Sequence, residues 1–118
     1  KVVIWGSGTP RREFLHVDDL AAAVVHLLQL DDPPHWVNVG TGRDISIREL
    51  AEMVARIVGY SGQITQDPSR PDGTPVKRTD TAVINATGWQ PKISLRDGIA
   101  RTYECFLQES QSAPLREV

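Results

Sequence analysis

The chain has a single cysteine, Cys105, among its 118 residues, which excludes an internal disulfide and fits a reducing compartment. It has no apolar run near the roughly 20 residues that span a bilayer. The longest such stretch, Leu20 to Leu30, is broken by His26 and Gln29. Neither sign of charge dominates: 13 Lys and Arg stand against 15 Asp and Glu, a net charge of -2. That balance lacks the basic surface of a nucleic-acid or anionic-membrane binder. The three histidines, His16, His26 and His35, fall in separate predicted elements without ligand spacing, so no metal site is expected. Internal repeats and low-complexity segments are missing as well. The chain does not open on Met; Lys1 leads directly into Val2-Val3-Ile4-Trp5, and it reads as a cut inside a longer sequence.

Several chemistries lack their residues. A dinucleotide turn needs Gly-x-Gly-x-x-Gly, or its Gly-x-x-Gly-x-x-Gly relative, between a strand and a helix. Gly6-Ser7-Gly8 is followed by Arg at position 11, and Gly40-Thr41-Gly42 by Ile at position 45. A Tyr-x-x-x-Lys pair, in which lysine lowers the tyrosine pKa for proton transfer, is absent: Ile64 follows Tyr60 and Leu107 follows Tyr103 at that spacing. No Gly-x-Ser-x-Gly elbow supports a serine nucleophile. The chain by itself is therefore expected to carry no hydride or proton chemistry.

What is present is an ordinary globular balance of apolar and charged residues. Val2–Trp5 reads as a strand closed by the Gly6–Pro10 turn, and residues 13–17 as a second short strand. Asp18 or Asp19 is expected to cap a helix over about 20–30 that is apolar nearly all round and so demands neighbours on most sides. A strand is expected at 35–39. Ser46-Ile-Arg-Glu49 is a capping box that opens an amphipathic helix ending at Gly59. A strand at 62–67, a proline-rich loop at 68–77, a short helix after Asp80 and a last helix after Ser94 complete the pattern. This is mixed α/β, without a self-contained doubly wound sheet.

The remaining polar pattern suits a phosphorylated, planar ligand. Arg12 lies between a glycine turn and a strand, and its guanidinium fork matches a diphosphate; it could equally pair with Asp18 or Asp19. Arg11 reads as solvated. Trp5 ends a strand before a glycine turn, where it fits either an apolar wall against a sugar or base, or the core. Asp72, in Arg70-Pro-Asp-Gly-Thr-Pro-Val-Lys77, could accept ribose hydroxyls or guanine N–H groups, or only shape an Asp-Gly turn. Lys77 could offset phosphate charge or stay solvated.

Taken together, Trp-Gly-Ser-Gly-Thr-Pro-x-Arg-Glu-Phe-Leu-His-Val-Asp-Asp (5–19), Asn-Val-Gly-Thr-Gly (38–42), Ile-Arg-Glu-Leu-Ala (47–51), Val-Gly-Tyr-x-Gly (58–62), Pro-Asp-Gly-Thr-Pro-x-Lys (71–77) and Gly-Trp-x-Pro-x-Ile-Ser-Leu (88–95) resemble the GDP-L-fucose synthases. These are extended short-chain dehydrogenase/reductases. Arg-Glu-Phe-x-x-Val-x-Asp is general to that superfamily; Trp5 before Gly-Ser-Gly and the 71–77 loop favour the fucose synthase branch. Val76 departs from the pattern, where a basic residue is common.

The resemblance implies a fold, a reaction and a division of labour. Residues 1–109 would be the C-terminal, substrate-binding part of a Rossmann-type NAD(P)-binding enzyme of the epimerase/dehydratase kind, with 110–118 a mobile tail. The N-terminal cofactor half would lie outside this chain. The full enzyme would epimerise GDP-4-keto-6-deoxy-mannose at C3 and C5 and reduce it with NADPH. The cysteine, histidine, serine, tyrosine and lysine that do this would all lie in the other half, leaving no catalytic, cofactor or metal position here. Trp5, Arg12 and Asp72 match family residues that line the GDP-sugar site, and Lys77 fits beside them. The helix after Asp19 would straddle the two domains and the 37–39 strand would edge the cofactor sheet, so both should expose apolar surface in this chain. A cytoplasmic homodimer, without nucleic-acid or membrane partners, is implied. Two alternatives stay open: another extended reductase using UDP or dTDP sugars, and a non-catalytic nucleotide-sugar-binding module.

Overall fold

The computed structural model describes residues 1–112, built as two small sheets and four helices. Strand β1 (Val2–Trp5) pairs in parallel with β4 (Ile64–Asp67), in a register that sets Trp5 opposite Asp67. The second sheet has β2 (Arg11–Glu13) in the centre. It is antiparallel to β3 (Asp44–Ser46) and parallel to the two-residue β5 (Val76–Lys77). The helices are α1 (Val17–Leu28), α2 (Ile47–Val58), α3 (Ala82–Ala86) and α4 (Leu95–Ser112). Parallel pairings between strands distant in sequence require crossovers, here supplied by the helices, as expected of an α/β chain.

Helix α2 begins and ends where its residues dictate. The Ser46 hydroxyl accepts the Glu49 N–H, and the Glu49 carboxylate accepts the Ser46 N–H, so two otherwise orphaned donors are satisfied. Gly59 stops the helix at φ 73°, which costs a residue without Cβ little. Helix α4 starts after Ser94, whose hydroxyl accepts the Asp97 N–H.

Helix α1 starts earlier than the carboxylates suggest. His16 is the N-cap, its Nδ1 accepting the Asp18 N–H, and Asp18 and Asp19 lie inside the first turn. Asp19 is buried and does another job: its two oxygens accept the Lys92 and Ile93 N–H groups at 3.0 and 2.9 Å. It thereby ties α1 to the segment that enters α4. No strand forms at 35–39, because a ladder needs a partner and none of the described residues supplies one. Val37 and Val39 pack instead beside the core of Ala23, Ile84 and Trp89, together with Leu15 and Leu27. The 44–46 strand, absent from the sequence reading, forms because β2 offers it a free edge. Helix α4 runs on to Ser112, so residues 110–112 are helical; the rest of the expected tail, 113–118, lies outside the described residues.

This core is small, and much apolar surface is left outside. Leu20, Val24, Val25 and Leu28 of α1, Val2 and Val3 of β1, and Trp36 are all exposed. A face of that composition is what a missing neighbour would bury. Among the described residues no helix is long and apolar enough to cross a membrane.

Candidate functional site

The register of the second sheet builds the site. Arg12 of β2 stands directly beside Lys77 of β5, so two cationic residues from distant parts of the chain become neighbours. Both line a cavity of about 510 Å³, with Glu13, Val39, Gly40, Arg78 and Thr79. Strand β5 has only two residues. It is held by its ladder and by the bond from the Arg11 N–H to the Pro75 carbonyl at 2.8 Å.

The Arg12 guanidinium is directed by the loop rather than by a carboxylate. Its Nη1 donates to the Thr74 and Arg11 carbonyls, each at 2.7 Å. Neither Asp18 nor Asp19 is its partner: Asp18 sits 3.7 Å from His16, and Asp19 serves the 92–93 backbone. Gly73 gives the guanidinium its room, since a Cβ there would stand 2.9 Å from Nη2. Arg11, expected to be solvated, is instead the paired arginine. Its Nε donates to Asp44 at 2.5 Å and its Nη1 lies 3.6 Å from Glu49. The hydrogen bond to Asp44 raises the Arg11 pKa above its ordinary value, against the pull of burial. Asp44 also meets Arg78 at 3.6 Å. Alternation along β2 thus sends Arg11 to a carboxylate and Arg12 to the cavity.

Asp72 closes the loop over the glycine turn. Its Oδ1 accepts the Ser7 N–H at 2.8 Å and its Oδ2 accepts the Ser7 hydroxyl at 2.7 Å. Gly6, at φ 76°, makes the approach possible, because a Cβ there would meet Asp72 Oδ1 at 2.2 Å. The segment between β4 and β5 is therefore latched to the segment between β1 and β2. Trp5 is 70% exposed and not part of the core. The Arg70 guanidinium lies over its ring, 5.1 Å from the centroid, while Arg70 Nε is 3.9 Å from Asp67. Trp5 thus meets the 68–75 loop through Arg70, Asp72 lies within it, and Arg12 touches the same loop at Thr74.

The residue that sequence reasoning passed over is Glu13. Its carboxylate accepts N–H bonds from Thr41, Gly42 and Thr79, and one from the Thr41 hydroxyl. Burial pushes its pKa up, but the Thr79 bonds, then those of Gly42 and Thr41, outweigh it and hold the carboxyl below its usual range. Glutamate followed by a Gly-Thr-Gly turn was visible in the sequence; that they meet was not. The glycine turns are accounted for by these contacts: Gly6 faces Asp72, Gly8 packs on Arg48, Gly40 on Glu13, and Gly42 near Thr81. None opens a helix toward a dinucleotide. Among the described residues no group of His, Cys, Asp and Glu could hold a metal ion. Cys105 is free and exposed on α4.

Known proteins resemble this chain in sequence and in fold. Residues 1–40 match the model of the NAD dependent epimerase/dehydratase family. GDP-L-fucose synthase 1 of Arabidopsis thaliana is 50% identical over 92% of this chain and 33% of its own length. GDP-L-fucose synthase of Escherichia coli (strain K12) is 50% identical over 91% of this chain and 36% of its own. Among solved structures, a GDP-mannoheptose C4 reductase from Campylobacter jejuni with NADP bound superposes with a TM-score of 0.80 at 40% identity, over 89% of this chain and 34% of that one. The chain spans about a third of the length of the curated relatives it matches.

Proposed function

We propose that this chain, which is similar to GDP-L-fucose synthases along nine-tenths of its length, is the nucleotide-sugar-binding portion of such an enzyme. The observation that carries the reading is the pairing of Arg12 with Lys77 on one cavity wall, beside the loop latched by Asp72. Two adjacent cations suit a diphosphate, and Arg12 brings a fork whose geometry fits phosphate oxygens. To meet a ligand, the Arg12 guanidinium would trade the exposed Thr74 carbonyl for a charged oxygen, an exchange that favours the anion. Trp5 offers an exposed aromatic face to a sugar or base, and the Asp72 carboxylate an acceptor for ribose hydroxyls or guanine N–H groups.

In the whole protein the activity would be epimerisation of a GDP-4-keto-6-deoxy-mannose at C3 and C5, then reduction at C4. NADPH would supply the hydride. The glycine turns present are taken up by contacts with Asp72, Arg48, Glu13 and Thr81 and do not fit a dinucleotide, so NADPH would be held by the rest of the polypeptide. This chain's part is to bind and orient the nucleotide so that the sugar extends toward the other portion. The exposed apolar face of α1 and β1 would seat that portion. The whole protein would act in the cytoplasm as a homodimer.

The test is calorimetric titration of GDP into the full-length protein. Arg12→Ala removes one charge-assisted contact and should weaken binding about 10- to 100-fold, with a shallower salt dependence. Unchanged GDP affinity in Arg12→Ala would sink the reading. UDP or dTDP binding as tightly as GDP would favour another extended reductase.

A further inference from the structure

We propose that Glu13 is the positioning residue that sets Lys77 beside Arg12, and so makes the two cations act as one diphosphate clamp. This rests on the nucleotide-sugar reading above. A single carboxylate holds two separate straps. One oxygen accepts from the Thr41 and Gly42 amides at 2.5 and 2.6 Å; the other accepts from the Thr79 amide at 2.5 Å. Thr79 lies just two residues beyond Lys77, at the exit of a strand too short to fix itself. The far end of that strand is fixed by the Arg11 bond to the Pro75 carbonyl. Lys77 is thus pinned between two anchors, both of which belong to β2, the strand that carries Arg12. Gly40 shows how closely the carboxylate is fitted, since a Cβ there would meet Glu13 Oε1 at 2.4 Å and the Thr79 Cβ at 3.1 Å.

Charge matters as well as shape. All three backbone groups, and the Thr41 hydroxyl, donate to this carboxylate, so an ionised acid satisfies every one of them. A glutamine has one acceptor oxygen and a donor NH₂. Whichever way it turns, its NH₂ faces an N–H, and one strap is released. If Thr79 is released, Lys77 loses its exit anchor while Arg12 keeps its contacts in the loop.

The experiment compares GDP with GMP, so that it reads the second phosphate alone, by calorimetry on the full-length protein at fixed ionic strength. Each well-placed cation should favour GDP by about tenfold. Glu13→Gln should lower the GDP-to-GMP affinity ratio about tenfold, Lys77→Ala should do the same, and the double variant should fall no further than either. A residue that only stabilises the fold would depress both affinities together and leave the ratio alone. Glu13→Asp covers the case in which Glu13→Gln does not fold: it keeps the charge, but one methylene shorter it cannot span both straps, so the same fall in ratio is expected. An unchanged ratio in the folded Glu13 variants, or losses that multiply in the double variant, overturns the inference while Arg12→Ala still supports the ligand reading. GDP binding that is insensitive to Arg12→Ala overturns both.

Discussion

Asp72 can be separated into a latch and a ligand group by two substitutions. Its Oδ1 accepts the Ser7 N–H and its Oδ2 the Ser7 hydroxyl. In Asp72→Asn the amide oxygen keeps the first bond. The new Nδ2 can donate to the same Ser7 oxygen, because a hydroxyl accepts as readily as it donates. The latch survives and only the charge is lost. A hydrogen bond to a charged group contributes about 1.5–3 kcal/mol and a neutral one about 0.5–1.5 kcal/mol, so the change of acceptor should cost about 1–1.5 kcal/mol of GDP affinity, roughly tenfold. Asp72→Ala removes both latch bonds as well. They are exposed, so the loop loses about 1–2 kcal/mol of fixation, and GDP should bind roughly tenfold more weakly again. The assay is GDP titration of the three proteins, with proteolysis at the 68–75 loop as the reporter of latching. Asp72→Asn should bind weakly with a protected loop; Asp72→Ala should bind weakest with a loop that is cut. Full GDP affinity in Asp72→Asn would refute a ligand role and leave Asp72 a latch alone.

Two further outcomes concern the frame around the site. Asp19→Ala leaves the Lys92 and Ile93 N–H groups without their acceptor and should lower stability by about 3 kcal/mol, read from the urea midpoint, with Asp19→Asn losing less than Asp19→Ala. A loss within about 0.5 kcal/mol would show that α1 is not tied to the α4 entry through this carboxylate. The Glu13 carboxyl has a depressed pKa in the folded chain, so its contribution is full above the unfolded value of about 4.3 and fades as pH falls through the folded value. The stability gap between the parent protein and Glu13→Gln should therefore be widest near neutral pH and close in acid. A gap that does not change between pH 6 and 3 would contradict the assignment.

Local structure was legible wherever a few adjacent residues settle it. The Ser46–Glu49 capping box, the Gly59 stop and the Ser94 cap follow from residues that act within four residues of themselves. So does the absence of a dinucleotide turn and of a Tyr-x-x-x-Lys pair, because those chemistries require fixed spacings. The resemblance of the chain to GDP-L-fucose synthases was readable too, since it rests on short motifs.

Tertiary structure decided everything that depends on who stands beside whom. Residues 35–39 have the composition of a strand, yet a strand exists only when another backbone pairs with it, and none of the described residues does. Asp19 looks like a cap and serves a segment more than seventy residues away. Arg11 and Arg12 are indistinguishable by type; only their alternation on β2 sends one to Asp44 and the other to the cavity with Lys77. Glu13 belongs to the Arg-Glu-Phe motif, but its role carries no local signature, because its three backbone donors come from two distant segments. Sequence alone fixes what each residue can offer over a few neighbours; the long-range register of β2 with β3 and β5 determines which of those offers are met.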